Sequence, residues 1–111
     1  MKAILIDPFE QTVKEVDYSG EFRDIYKFID AECFDCARIK RGDGIFVDDE
    51  GLLKSPTHFF EHSDYPSPLA GKGLIVGCDE EGESADCKTT LDEVKAKVTF
   101  SNILQMRARY A

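Results

Sequence analysis

The residues able to do chemistry are four cysteines, two histidines and several carboxylates. Cys33-x-x-Cys36 has the spacing of a metal half-site, and Cys78 and Cys87 supply two further thiols. Four thiolates can hold Zn2+ tetrahedrally. The gap between Cys78 and Cys87 is too wide for an ordinary zinc knuckle, and Cys36 and Cys78 stand beside apolar residues. Free cysteine is among the most buried residue types. The expected state is structural thiols; the alternative reading is a metal- or small-ligand-binding domain built from Cys33, Cys36, Cys78 and Cys87, or from His58 and His62. A thioredoxin-like dithiol is disfavoured, because Cys33 and Cys36 follow a helical pattern and do not open one.

His58 and His62 would share one face of a helix, but the order His58-Phe59-Phe60-Glu61-His62 is not that of a zinc protease. Gly71-Lys72-Gly73 has the composition of a phosphate loop without its spacing, and an apolar run follows it. Asp43, Asp48, Asp49 and Glu50 lack the spacing of a Ca2+ loop and suit a solvated hairpin tip. No Ser/His/Asp set can be assembled. The sequence nominates no catalytic residue and no cofactor.

These residues must be placed by an ordinary small core. Leu74-Ile75-Val76 is the most apolar short run after residue 60, with prolines before it and Gly77 after it. It is expected to be a central strand. Ala3–Ile6 and Thr12–Tyr18 form an expected hairpin across Asp7-Pro8. The change of parity between Val13 and Val16 suggests a bulge, or one end lying outside the core. Phe22, Ile25, Tyr26 and Ile29 recur at helical spacing, predicting a helix over 20–31, capped by Ser19 and laid across the central strand.

Cys33–Ile39 reads as a strand. Ile45–Val47 and Leu52–Lys54 read as a second hairpin, with Gly51 at positive φ. Residues 55–68 show no sustained period and read as a long connection, with a helical turn at Thr57–Glu61. Thr90 and Glu93 form a capping-box signature for a helix that yields near residue 97, where Ala96, Val98 and Phe100 alternate as in a strand. The predicted class is α+β: a single domain over 1–111, mostly antiparallel, covered by one secure helix and one shorter C-terminal helix.

A net charge of −8 opposes non-specific nucleic-acid binding. The acids are scattered, so an acidic nucleic-acid mimic is only a variant reading. No membrane-spanning or leader-like run is seen, so a cytoplasmic location is expected.

Three stretches carry a resemblance: Met1-Lys2-Ala3-Ile4-Leu5-Ile6-Asp7-Pro8, Val47-Asp48-Asp49-Glu50-Gly51-Leu52, and Pro68-Leu69-Ala70-Gly71-Lys72-Gly73-Leu74-Ile75-Val76-Gly77. From Met1 to about Phe100 the chain resembles a family of short uncharacterised proteins, a domain of unknown function, found in phages, plasmids and their bacterial hosts. That family brings no catalytic residues to carry over. The resemblance implies a mobile-element accessory or adaptor protein that binds a host factor. The expected contact residues are Phe59, Phe60, Tyr65 and Tyr110, since aromatics anchor interfaces. A homodimer is expected from the short chain and its apolar tail.

Overall fold

The computed structural model describes residues 1–39, 42–51, 54 and 56–110, with the side chains of Met106, Arg109 and Tyr110 outside that description. The elements run β1 (Lys2–Asp7), β2 (Thr12–Asp17), α1 (Phe22–Ile29), β3 (Phe34–Arg38), β4 (Gly44–Asp48), β5 (His58–His62), β6 (Leu69–Ala70), β7 (Gly73–Cys78), β8 (Ser84–Ala85), α2 (Leu91–Lys97), β9 (Val98–Asn102) and α3 (Ile103–Tyr110). The class is the α+β expected.

β7 is the middle strand of a sheet ordered β2-β1-β7-β4-β3, and β8 pairs with its far end. Every pairing is antiparallel. Ile75 is opposite Ile4 on one side and Ile45 on the other. Alternation then sorts the strand's side chains onto two faces. Leu74 and Val76 join Ala3, Tyr18, Ile25 and Ile29 under α1. Ile75 joins Ile4, Ile6, Ile45, Val47, Phe60 and Val94 on the other face. Both faces are dry, so the central run is continuously apolar.

The same fact corrects the expectation for β2. Its register with β1 is unbroken from Thr12 to Asp17. Val13 packs on one core and Val16 on the other, so their odd spacing needs no bulge.

A second sheet, β6-β5-β9, covers the face opposite α1. β5 interrupts the long connection expected over 55–68, so Thr57–Glu61 is largely strand instead of a helical turn, while residues 63–68 remain irregular. Phe60 on β5 points at the central strand. A Cβ on Gly73 would meet its Cζ at 2.6 Å and the Ile45 Cγ2 at 3.0 Å. Glycine is therefore what lets the two sheets approach at this point.

Both edges of β4 are taken, by β3 and β7, so its hairpin partner is not the one expected. Leu52 and Leu53 of the expected return lie outside the described residues. Gly51 does not have the positive φ predicted for it; Gly20, Gly42, Gly71 and Gly82 do.

The N-cap of α1 is Glu21, not Ser19, and it makes no side-chain cap. The Ser19 hydroxyl instead accepts from the Glu21 N–H at 3.1 Å. The helix ends at Asp30 in the left-handed region, φ 54°, a conformation that short polar side chains tolerate. Lys72 Nζ donates to Asp30 at 2.6 Å, fastening that end of α1 beside the start of β7. α2 has the full Thr90/Glu93 capping box, and β9 begins at the residue after it. The strand-like alternation beyond residue 97 is thus real.

Asp43 is fully buried at the start of β4. Its carboxylate accepts from the backbone N–H groups of Lys88 and Thr89 at 2.9 Å each. It is a splice between distant segments and is not available as an ion ligand.

His62 is 1 % exposed. Its Nδ1 accepts from the Asp64 N–H at 3.1 Å, which leaves the ring proton on Nε2, a buried atom with no hydrogen-bond partner among the described residues. Burial pushes the imidazole below its ordinary value of 6.5; Asp64 opposes this and Lys97 reinforces it.

Two outcomes follow. Gly73→Ala should cost about 2 kcal/mol through overpacking, measured as a lower denaturant midpoint at unchanged m-value. Below about pH 6.5 the unfolded chain binds a proton at residue 62 that the folded chain refuses, so stability falls as pH drops through that value. Between pH 7.5 and 5.5 the wild type should lose more stability than His62→Asn does, read from urea midpoints at both pH values.

Candidate functional site

α1 does not cover the whole of its face of the main sheet. Its buried residues are Ile25 and Ile29. Phe22 and Tyr26, expected on the same buried stripe, stand at its margin, and Phe22 is 63 % exposed. Beside them a cleft of about 520 Å3 opens over β3, β4 and β7, a volume within the range of ligand sites.

Strand alternation supplies the lining. Phe34, Cys36 and Arg38 are successive residues of one face of β3, and Phe46 is directly across from Cys36. Val76 and Cys78 continue the floor on β7, while Phe22, Met1, Glu83 and Ser84 make up the rim. A Cβ at Gly44 would collide with the Cys36 Sγ, so the glycine lets that thiol lie across β4. The aromatic rings form a connected series. Phe34 lies 5.8 Å from Phe22, 5.2 Å from Tyr26 and 5.1 Å from Phe46, the last edge-on. Edge-on and tilted rings at these separations attract one another.

The electrostatics favour binding over nucleophilic chemistry. Burial raises the Cys36 thiol above its usual range, with Arg38 opposing the shift and Asp35 and Cys78 adding to it. It is a neutral thiol at physiological pH, without the lowered pKa of a catalytic cysteine. Tyr18 sits beneath this face, fully buried. Desolvation raises its hydroxyl, and Ser84 opposes the shift, although the two are not in hydrogen-bonding geometry.

The structure separates the other candidates. Cys36 and Cys78 line the cleft, Cys33 is exposed, and Cys87 is buried in the core of the opposite face. Four thiols divided by a sheet cannot share one ion. The Cys87 thiol is pushed up to about 11, chiefly by burial. His58 and His62 belong to a strand, where four residues span roughly 13 Å. His58 contacts Thr57 Oγ1 through Nδ1 at 2.8 Å and stacks on Phe9. Among the described residues no three His, Cys, Asp or Glu side chains are arranged to hold a metal.

Of the expected contact residues, Phe59 and Phe60 are buried, 5 % and 0 % exposed. They pair with β9 and β6 inside the second sheet, with their side chains shielded from solvent. Tyr65 is half-buried against the core, and the Tyr110 side chain lies outside the described residues. Phe22, Tyr26, Phe34, Phe46 and Arg38 were not singled out as a site from the sequence. The available signal was a four-residue stripe on a helix of only eight residues, with its two aromatics adjacent to one margin.

Among the described residues no helix is long and apolar enough to cross a membrane. No curated protein and no solved structure matches the chain. The model of the family described as Domain of unknown function (DUF3846) matches residues 1–99, and the chain belongs to that family.

Proposed function

We propose that this is a cytoplasmic accessory protein of a phage or other mobile element, acting by contact with a host protein through the aromatic cleft. The observation that carries the reading is Phe22, 63 % exposed at the mouth of a cleft whose inner rings are Phe34 and Phe46. A large apolar side chain in water, backed by further rings, has the character of an interface anchor. The expected partner inserts an aliphatic or aromatic side chain between Phe22 and Arg38. The net charge of −8 favours a basic surface around that side chain.

The thiols and carboxylates support binding over catalysis. Asp43 is occupied by backbone N–H groups, and Lys72 and Lys54 are held by Asp30 and Asp48. Tyr65 remains a secondary contact, at the margin of a smaller cleft on the opposite face.

Wild type and Phe22→Ser should be used in parallel as baits in bacterial host lysate, and any protein retained by one only should be purified and titrated. A partner bound by wild type and weakened at least about tenfold by Phe22→Ser fits an interface anchor. Equal capture by both baits would move the contact away from the cleft.

A further inference from the structure

Among the described residues β3 is the outer strand of the main sheet, paired only with β4. Its unused edge can be read from its ladder. The Ile39 N–H donates to the Asp43 carbonyl at 3.0 Å, and the Asp49 N–H donates to the Cys33 carbonyl at 3.4 Å. Hydrogen-bonded and non-bonded pairs alternate along an antiparallel ladder. Residues 33, 35, 37 and 39 therefore spend their backbone groups on β4. Phe34, Cys36 and Arg38 turn theirs outward. One outward group is covered: the Cys36 N–H donates to the Asp35 carboxylate at 2.8 Å. Clefts on both faces of the sheet reach Cys36, so the strand is open above and below as well as along its edge.

Such an edge is a template for another strand unless something blocks it. The opposite outer strand, β2, carries Lys14, Glu15 and Asp17, charges of the kind that blunt an edge. β3 has no proline and no bulge in its register. Its charges are arranged by sign along the chain. Glu32 and Asp35 come before Cys36, and Arg38 comes after it. That order is self-complementary when the strand meets a copy of itself running the other way.

We infer that β3 pairs antiparallel with β3 of a second copy, about a two-fold axis at Cys36. Outward groups of Cys36 meet those of the partner's Cys36, making two hydrogen bonds. Phe34 comes opposite the partner's Arg38, which places a guanidinium against an aromatic ring. Glu32, in the bend two residues before Phe34, brings a carboxylate to the end of the ladder where the partner's Arg38 lies. The Asp35 carboxylate gives up the Cys36 N–H and returns to water. The axis is normal to the sheet, so the two aromatic clefts lie side by side on one face. This inference stands apart from the host-partner reading, because it needs only the chain itself.

Sedimentation of the purified protein from micromolar to millimolar concentration should show a species of twice the 12.5 kDa chain. Amide exchange by NMR supplies the specific signature. The Phe34, Cys36 and Arg38 amides should become protected as concentration rises, while those of Asp35 and Ala37 are protected throughout. Arg38→Glu should weaken association about tenfold, and Glu32→Lys/Arg38→Glu should recover most of it. Both residues are exposed, so neither change threatens folding. A monomer throughout the range, or a dimer that leaves the three amides unprotected, would overturn the inference. So would a dimer indifferent to Arg38→Glu. Host-partner capture that survives Glu32→Lys, a change outside the cleft, but not Phe22→Ser would separate the two contacts.

Discussion

The fold depends on the contact between the Phe60 ring and the backbone of Gly73. β7 can be the middle strand only if both of its faces are covered. α1 covers one with Ile25 and Ile29. The other is covered by a separate sheet, and that sheet reaches β7 through Phe60. Any side chain at residue 73 would hold the two sheets apart, because the ring and Ile45 already fill the space. Close packing of this kind leaves little room for adjustment. The glycines around Lys72 thus serve packing and a turn, and the lysine serves an ion pair with Asp30.

Much of the first sheet was legible in the sequence. Leu74-Ile75-Val76, Ala3–Ile6 and Ile45–Val47 are apolar runs bounded by turn residues, and all became strands; the first is buried on both faces, while Leu5 and Phe46 are half-buried. The Thr90/Glu93 capping box was legible because its hydrogen bonds are local. The second sheet was not. β6 is two residues long, β9 directly follows a helix, and β5 carries adjacent phenylalanines between histidines. Phe59 and Phe60 are buried on opposite faces, so neither period showed. Their partners, Ser101 and Phe100, are about forty residues away in sequence, and no local pattern signals a pairing at that distance.

The site was less legible than the fold for a related reason. Exposure is a tertiary property. Phe22 and Ile25 belong to one apolar stripe, and hydrophobicity alone cannot say which of them reaches the core. The outcome is set by the offset of α1, which sits over β7 and leaves β3 at its flank. The cleft is the uncovered remainder of that face. Its rings pack on one another, and the Cys36 thiol fits because Gly44 has no side chain. Among the described residues nothing pairs with the outer edge of β3.

The position of β7 in the chain has a consequence for biosynthesis. β1 and β4 are both made before it, yet each pairs along its inner edge with β7 alone. Until Cys78 has cleared the ribosome, the nascent chain carries two apolar strands with a gap between them. Contacts such as Ile4 with Ile75 close a long loop and are slow to form. Unsealed strands are the ones that recruit wrong neighbours. Both strands therefore wait for the last third of the sequence to supply the neighbour they share.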